Sequence, residues 1–192
     1  MHRRALLTAA ATGVVGLAGC LQGPLGVAGG RSPGSQREHW GAEPPCPGVD
    51  PTADRTVCTG GGHPTPSGVP VALHPPVDAP LQAGTPFAIT LRPRTDVPVT
   101  FPPEDWTVRR LRDDRWTDVA SGDGVDGFRT VYPGERYEWR LDAAEAAVTD
   151  DEGTGITVSL DPGRYAFSLT ASVGRGWTEG DRFECIALVA VR

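Results

Sequence analysis

The chain has 192 residues, with 18 basic and 24 acidic side chains for a net charge of −6 at pH 7; that length suits one ordinary domain plus a tail and does not accommodate two full domains. Every basic residue is an arginine, because the sequence contains no lysine, a departure from average usage that marks a biased proteome. A surface this acidic repels phosphate backbones, so no nucleic-acid partner is expected.

At the N-terminus, Met1-His2-Arg3-Arg4 makes a short positive region, residues 5–19 form an apolar stretch diluted by Thr8, Thr12, Gly13 and Gly16, and Leu17-Ala18-Gly19-Cys20 closes it. This is the layout of a signal peptide over residues 1–19, and the apolar stretch is shorter than the roughly 20 residues a membrane span needs. Paired arginines ahead of a mildly hydrophobic core resemble the twin-arginine export signal, with Arg3 and Arg4 as the pair. Leu-Ala-Gly-Cys resembles a lipobox, which makes Cys20 the expected lipidation site. Adjacent arginines are common in an arginine-rich chain, and a cysteine ending an apolar run is often structural; the order and spacing of the two motifs together carry the reading. Without Arg3 and Arg4, 16 basic residues face 24 acidic ones, a net charge of −8 for residues 20–192. The expected location is the extracellular face of the cytoplasmic membrane, with the membrane as a partner through lipid on Cys20.

Residues 20–68 read as a tether. From 21 to 68 about two residues in five are Gly or Pro, with hardly any period-2 or period-3.6 apolar pattern, a composition expected to stay disordered and to hold a domain clear of the lipid surface. Within it, Cys46 and Cys58 are flanked by His39 and His63. Outside the cell cysteines are usually disulfides, although Cys and His could instead ligate zinc or copper. The separation of Cys46 and Cys58 is not a chelating spacing, so no metal site is assigned. Cys185 leaves three thiols once Cys20 carries lipid, and the pairing among Cys46, Cys58 and Cys185 stays open.

From Val69 onward, short alternating runs rich in β-branched and aromatic residues are separated by Gly, Pro and Asp clusters. Strands are predicted over 69–73, 87–91, 97–101, 106–111, 116–119, 136–141, 156–160, 164–171 and 183–191. Asp113-Asp114 is expected to turn the hairpin between Trp106 and Trp116, and Pro133-Gly134 suits the centre of a type II turn. Only residues 142–148, with Asp142 and Glu145 as a cap-like start, suggest a helix, and a short one. The last strand is apolar on both faces, which predicts a central position with both faces covered.

Seven to nine short strands over residues 69–192, without long helices between them, predict an all-β fold, an immunoglobulin-like antiparallel β-sandwich. Asp161-Pro162-Gly163-Arg164-Tyr165 resembles the tyrosine corner of such domains, in which glycine permits the bend and the tyrosine hydroxyl bonds back to nearby backbone. Phe167 stands where antibody domains carry their second intersheet cysteine. On the signal, the acidic lysine-free composition and the sandwich pattern, the chain resembles the halophilic-archaeal cell-surface lipoproteins that carry one immunoglobulin-like domain; a GC-rich genome would also favour arginine over lysine. Through Ile89-Thr90-Leu91 before Val97-Pro98-Val99-Thr100-Phe101, and through Pro162-Gly163-Arg164-Tyr165, the domain is also similar to the immunoglobulin-like proteinase inhibitors of bacilli. The resemblance implies a fold and a location; it transfers no inhibitory loop, because fold does not carry function.

No serine elbow, zinc-protease helix or phosphate-binding glycine loop is present, so the chain is not expected to be an enzyme, and no cofactor is implied. The acidic loops around Asp118, Asp123 and Asp126, and around Asp150, Asp151 and Glu152, lack the spacing of a calcium loop. Arg109, Arg110, Arg112 and Arg115 among Trp106 and Trp116 have the chemistry to bind acidic glycans, but cross-strand pairing with Asp105, Asp113, Asp114 and Asp118 accounts for them as well. The expected function is a non-catalytic, lipid-anchored surface protein presenting a binding or structural module to an extracellular or envelope ligand. A surface protease inhibitor and a metal-handling lipoprotein using the Cys/His tether are the alternatives.

Overall fold

Alternation of apolar and polar residues in runs of three to eleven builds a computed structural model that is all β, and it describes residues 43–76, 80–124, 127–142, 153–174 and 176–192. Eleven strands follow in order: β1 (Arg55–Gly60), β2 (Val71–His74), β3 (Phe87–Pro93), β4 (Val99–Phe101), β5 (Trp106–Arg112), β6 (Arg115–Ser121), β7 (Arg129–Val131), β8 (Tyr137–Asp142), β9 (Gly153–Thr157), β10 (Gly163–Val173) and β11 (Asp181–Val191). The smaller sheet has the order β2-β3-β8-β9. In the larger, β11 lies between β1 and β10; the far edge of β10 carries β5 along residues 164–169 and β4 at 172–173, with β6 beside β5 and β7 beside β4. Consecutive strands β3 and β4 therefore sit in different sheets, as do β9 and β10, the Greek-key exchange of an immunoglobulin-like sandwich.

The core forms where inward positions of both sheets meet. Val71, Leu73, Ile89, Leu91, Trp139 and Leu141 come from the smaller sheet, and Phe101, Val108, Tyr165, Phe167, Leu169, Phe183 and Cys185 from the larger. Trp139 is fully buried, 5.4 Å from the ring of Phe101 and 5.5 Å from that of Phe167, and its indole N–H donates to the Pro103 carbonyl at 2.9 Å. Phe167 also stacks on Trp106 at 6.2 Å, so aromatic packing occupies the place that an intersheet disulfide holds in antibody domains.

The turn residues act as their chemistry requires. Asp113 and Asp114 adopt φ of 47° and 60°, the paired left-handed geometry of a tight hairpin turn between β5 and β6. Gly134 has φ of 88°, and the Glu135 N–H donates to the Tyr132 carbonyl at 3.0 Å, closing the turn predicted at Pro133-Gly134. At the start of β10, the Tyr165 hydroxyl donates to the Asp161 carbonyl at 2.8 Å with the ring buried, which is the tyrosine corner. Gly163 is not at a positive φ; a Cβ there would stand 3.0 Å from Nε of Arg110, so the guanidinium that packs on the corner would have to shift.

Several expectations are corrected. The domain does not begin at 69, because β1 lies within residues 20–68 and pairs in parallel with β11, Arg55 opposite Phe183 through Gly60 opposite Leu188. The sheets are mixed rather than purely antiparallel, since β8 and β9 also run parallel. Among the described residues there are eleven strands, not seven to nine; β1 and β7 come in addition, and the strand predicted over 156–160 forms instead at Gly153–Thr157. Asp142 closes a strand rather than opening a helix, and residues 143–148 lie outside the described residues. The expectation for β11 holds, with a neighbour on each edge and residues of both its faces buried.

Candidate functional site

The outer face of the larger sheet is divided along the strands by sequence. Even-numbered residues of β10 and β11 point away from the core, and they change from polar (Arg182, Glu184, Ser168, Thr170, Ser172) to apolar (Ile186, Leu188, Ala190, Ala166) along the strand axis. The apolar half is covered by Cys58 and Trp116. Cys58 is bonded to Cys46, and the Trp116 indole N–H donates to the Pro45 carbonyl at 2.9 Å, so residues 43–54 form a strap across the sheet. His63 locks its start, with one ring nitrogen 2.9 Å from the Glu43 carboxylate and the other 2.9 Å from the Pro44 carbonyl.

Further along, the strap bounds a polar groove of about 330 Å³ lined by Asp50 and Thr52 of the strap, Asp105 before β5, Thr107 and Arg109 of β5, Ser168 and Thr170 of β10, and Arg182 and Glu184 of β11. Glu184 is buried and accepts the Val49 N–H on both carboxylate oxygens, at 3.0 and 3.2 Å. Asp50 accepts the Thr170 hydroxyl, and the Thr52 N–H and hydroxyl at 2.8 and 2.7 Å. Burial raises the pKa of Asp50, but the bonds from Thr170 and Thr52 and the charge of Arg182 outweigh it, leaving the carboxyl below its ordinary value. Arg109 is held by Asp118 at 2.8 Å and by the Ser168 hydroxyl at 2.7 Å. Arg182 lies 4.6 Å over the Trp177 ring, which packs against Phe128 at 5.0 Å. Its Nε is buried without a hydrogen-bond partner among the described residues.

The residues singled out by sequence fall in different places. Arg3, Arg4, Cys20 and His39 lie outside the described residues, as do Asp126 and the acidic group at 150–152. Cys46 and Cys58 are joined, which corrects the inclusion of Cys185 among the disulfide candidates: it is a free, fully buried thiol, pushed up to about 12 by burial and by the neighbouring Glu184 carboxylate. Of the four arginines of the β5–β6 hairpin, Arg109 and Arg110 form ion pairs, with Asp118 and Asp161, and Arg112 and Arg115 are exposed. Arg110 reaches the Asp161 carboxylate at 3.4 Å and the Pro162 carbonyl at 2.8 Å, and lies over the Tyr165 ring at 5.6 Å, so it buttresses the tyrosine corner.

Trp106 is buried in the core, and Trp116 is capped by the strap. The groove itself escaped the sequence. Its signal is the run of alternate hydroxyls Ser168, Thr170 and Ser172 on the outward positions of a strand whose inward positions are all apolar, together with two charges, Arg182 and Glu184, at outward positions of a strand that is apolar from Cys185 to Val191. No family model, curated protein or solved structure matches the chain.

Proposed function

We propose that the chain is an exported, lipid-anchored, non-catalytic binding module, in which residues 1–19 direct export through Arg3 and Arg4, Cys20 carries lipid after cleavage, and the sandwich presents its polar groove outside the cell. The observation that carries this reading is the Cys46–Cys58 disulfide that straps the chain over the sheet, because disulfides persist in oxidising compartments and are rare in reducing ones. It agrees with the order of the N-terminal motifs. The same bond removes both thiolates that a Cys/His metal site would have used. A binding role, rather than a catalytic one, is supported by the state of the groove carboxylates. Two of the three groove carboxylates, Asp50 and Glu184, are engaged by neighbouring donors, and among the described residues no histidine lines the groove beside the third, Asp105.

The test is fractionation of cells producing the wild-type chain or Cys20→Ser. The wild type is expected in the membrane fraction, and the variant in the medium or as an uncleaved precursor, because a lipid contributes about 0.8 kcal/mol per buried methylene. A fully processed variant still bound to the membrane would contradict the lipid anchor.

A further inference from the structure

We propose that the groove between the strap and β5 is a binding site for a neutral mono- or disaccharide; the inference names the ligand class of the binding module and rests on that reading. A sugar hydroxyl both donates and accepts, so its site needs carboxylates, guanidinium groups and hydroxyls within one small volume. The groove has all three: Asp105 as acceptor, Arg182 as donor and Thr107 as both, on a floor formed by Ser168 and Thr170. Its volume, about 330 Å³, is at the small end of the roughly 300–1,000 Å³ of ligand pockets, which limits the ligand to one or two sugar rings.

Charge selects among polar ligands. Asp50, Asp105 and Glu184 face Arg109 and Arg182, so the lining is nearly balanced, with one carboxylate in excess. A phosphate, sulfate or uronate would meet that excess, and a cation would meet two guanidinium groups; a neutral polyol meets neither penalty.

The polar groups fall into two sets. Asp50, Glu184 and Arg109 are tied to protein partners and fix the walls. Asp105, by contrast, is exposed, and neither its carboxylate nor the Thr107 hydroxyl has a partner among the described residues. Arg182 forms no ion pair among the described residues, although acidic side chains outnumber arginines 24 to 18 in the chain. The Trp177 ring holds it in place by stacking, so its position is set before a ligand arrives. Thr107 and Arg182 are fixed on strands and Asp105 directly precedes β5; hydrogen-bonding groups placed in this way yet unspent lower the ordering cost of binding.

The experiment titrates the purified full chain in detergent, in molar salt, with neutral hexoses, deoxyhexoses, N-acetylhexosamines and their disaccharides, with glucuronate and inorganic sulfate as anionic comparators. Binding is read by ligand-observed NMR and by tryptophan fluorescence, to which Trp177 beside Arg182 contributes as one of five tryptophans. At least one neutral sugar is expected to bind, with Asp105→Asn and Arg182→Gln each weakening it at least tenfold and leaving the thermal unfolding midpoint of Asp105→Asn unchanged. Arg182→Gln loses its stacking on Trp177, so the exposed Asp105→Asn keeps the test decisive if the first variant is unstable. The proposal is overturned if no neutral sugar binds, if the anions bind in preference, or if Asp105→Asn binds as the wild type does. Because binding is measured on isolated protein, its failure is distinct from failure of the export reading, which fractionation alone decides.

Discussion

Tyr165 and Arg110 form a unit at the start of β10. The phenol donates to the Asp161 carbonyl at 2.8 Å, its ring is buried, and the Arg110 guanidinium lies over it while bonding to Pro162. Removing only the hydroxyl deletes that part-buried bond and leaves the ring's packing in place, so Tyr165→Phe is expected to lose about 0.5–1.5 kcal/mol. Guanidinium unfolding in molar salt checks this, with a lower midpoint at an unchanged slope as the expected result and an unchanged midpoint as the contrary one. The corner was legible because all its residues fall within Asp161-Pro162-Gly163-Arg164-Tyr165, whereas Arg110 lies 51 residues from Asp161 and no local pattern announces it.

At the scale of the element, the strap and β1 carry the main difference between sequence and structure. Their Gly and Pro content reads as a linker, yet Gly60, at φ of 76°, is a close-approach residue: a Cβ there would collide with the Leu188 carbonyl of β11. Glycine serves pairing here, and the partner strand is about 128 residues away, beyond any window in which periodicity is read. The three-residue β7 was illegible for a different reason: Val131 is its one apolar residue, so it shows no alternation, whereas the equally short β4 continues the alternation of Val97, Val99 and Phe101. By contrast, β3, β5, β10 and β11 are long enough to show which face is buried, and each was anticipated close to its observed bounds.

The strap is held covalently by the disulfide and non-covalently by Glu184, Thr170 and Arg182. Closing a loop across a separation of 12 residues removes unfolded-state entropy worth up to about 3 kcal/mol. Asp50 adds a pH dependence whose sign follows from its lowered pKa. Its stabilisation is present above the ordinary carboxylate value and is lost as pH falls through the depressed folded value, that is, below about pH 4. The groups around it are Thr52, Thr170, Arg182 and Glu184, with Arg109 and Asp105 across the groove. Unfolding free energies of wild type and Asp50→Asn are therefore expected to converge as pH drops below about 4, with the wild type more stable above it. Curves that stay parallel across that range would show that Asp50 does not hold the strap as an ion.

At the scale of the whole molecule, an acidic sandwich strapped by a disulfide is joined to an N-terminus whose sequence has the order of an export signal and a lipobox. No helix among the described residues is long and apolar enough to cross a membrane; the proposed attachment is the lipid on Cys20. The proposed export and lipidation motifs are short and contiguous, so residues 1–20 alone suffice to read them. The groove is assembled from the strap, β5, β10 and β11, four stretches that only the fold brings together.

The most direct test of the central claim is the intact mass and N-terminal peptide of the wild-type protein recovered from the membrane fraction. The expected result is a chain beginning at Cys20, heavier than residues 20–192 by the mass of an attached lipid and lighter by two hydrogen atoms for the Cys46–Cys58 bond. A chain that retains Met1, or that carries an unmodified Cys20 thiol, would contradict it.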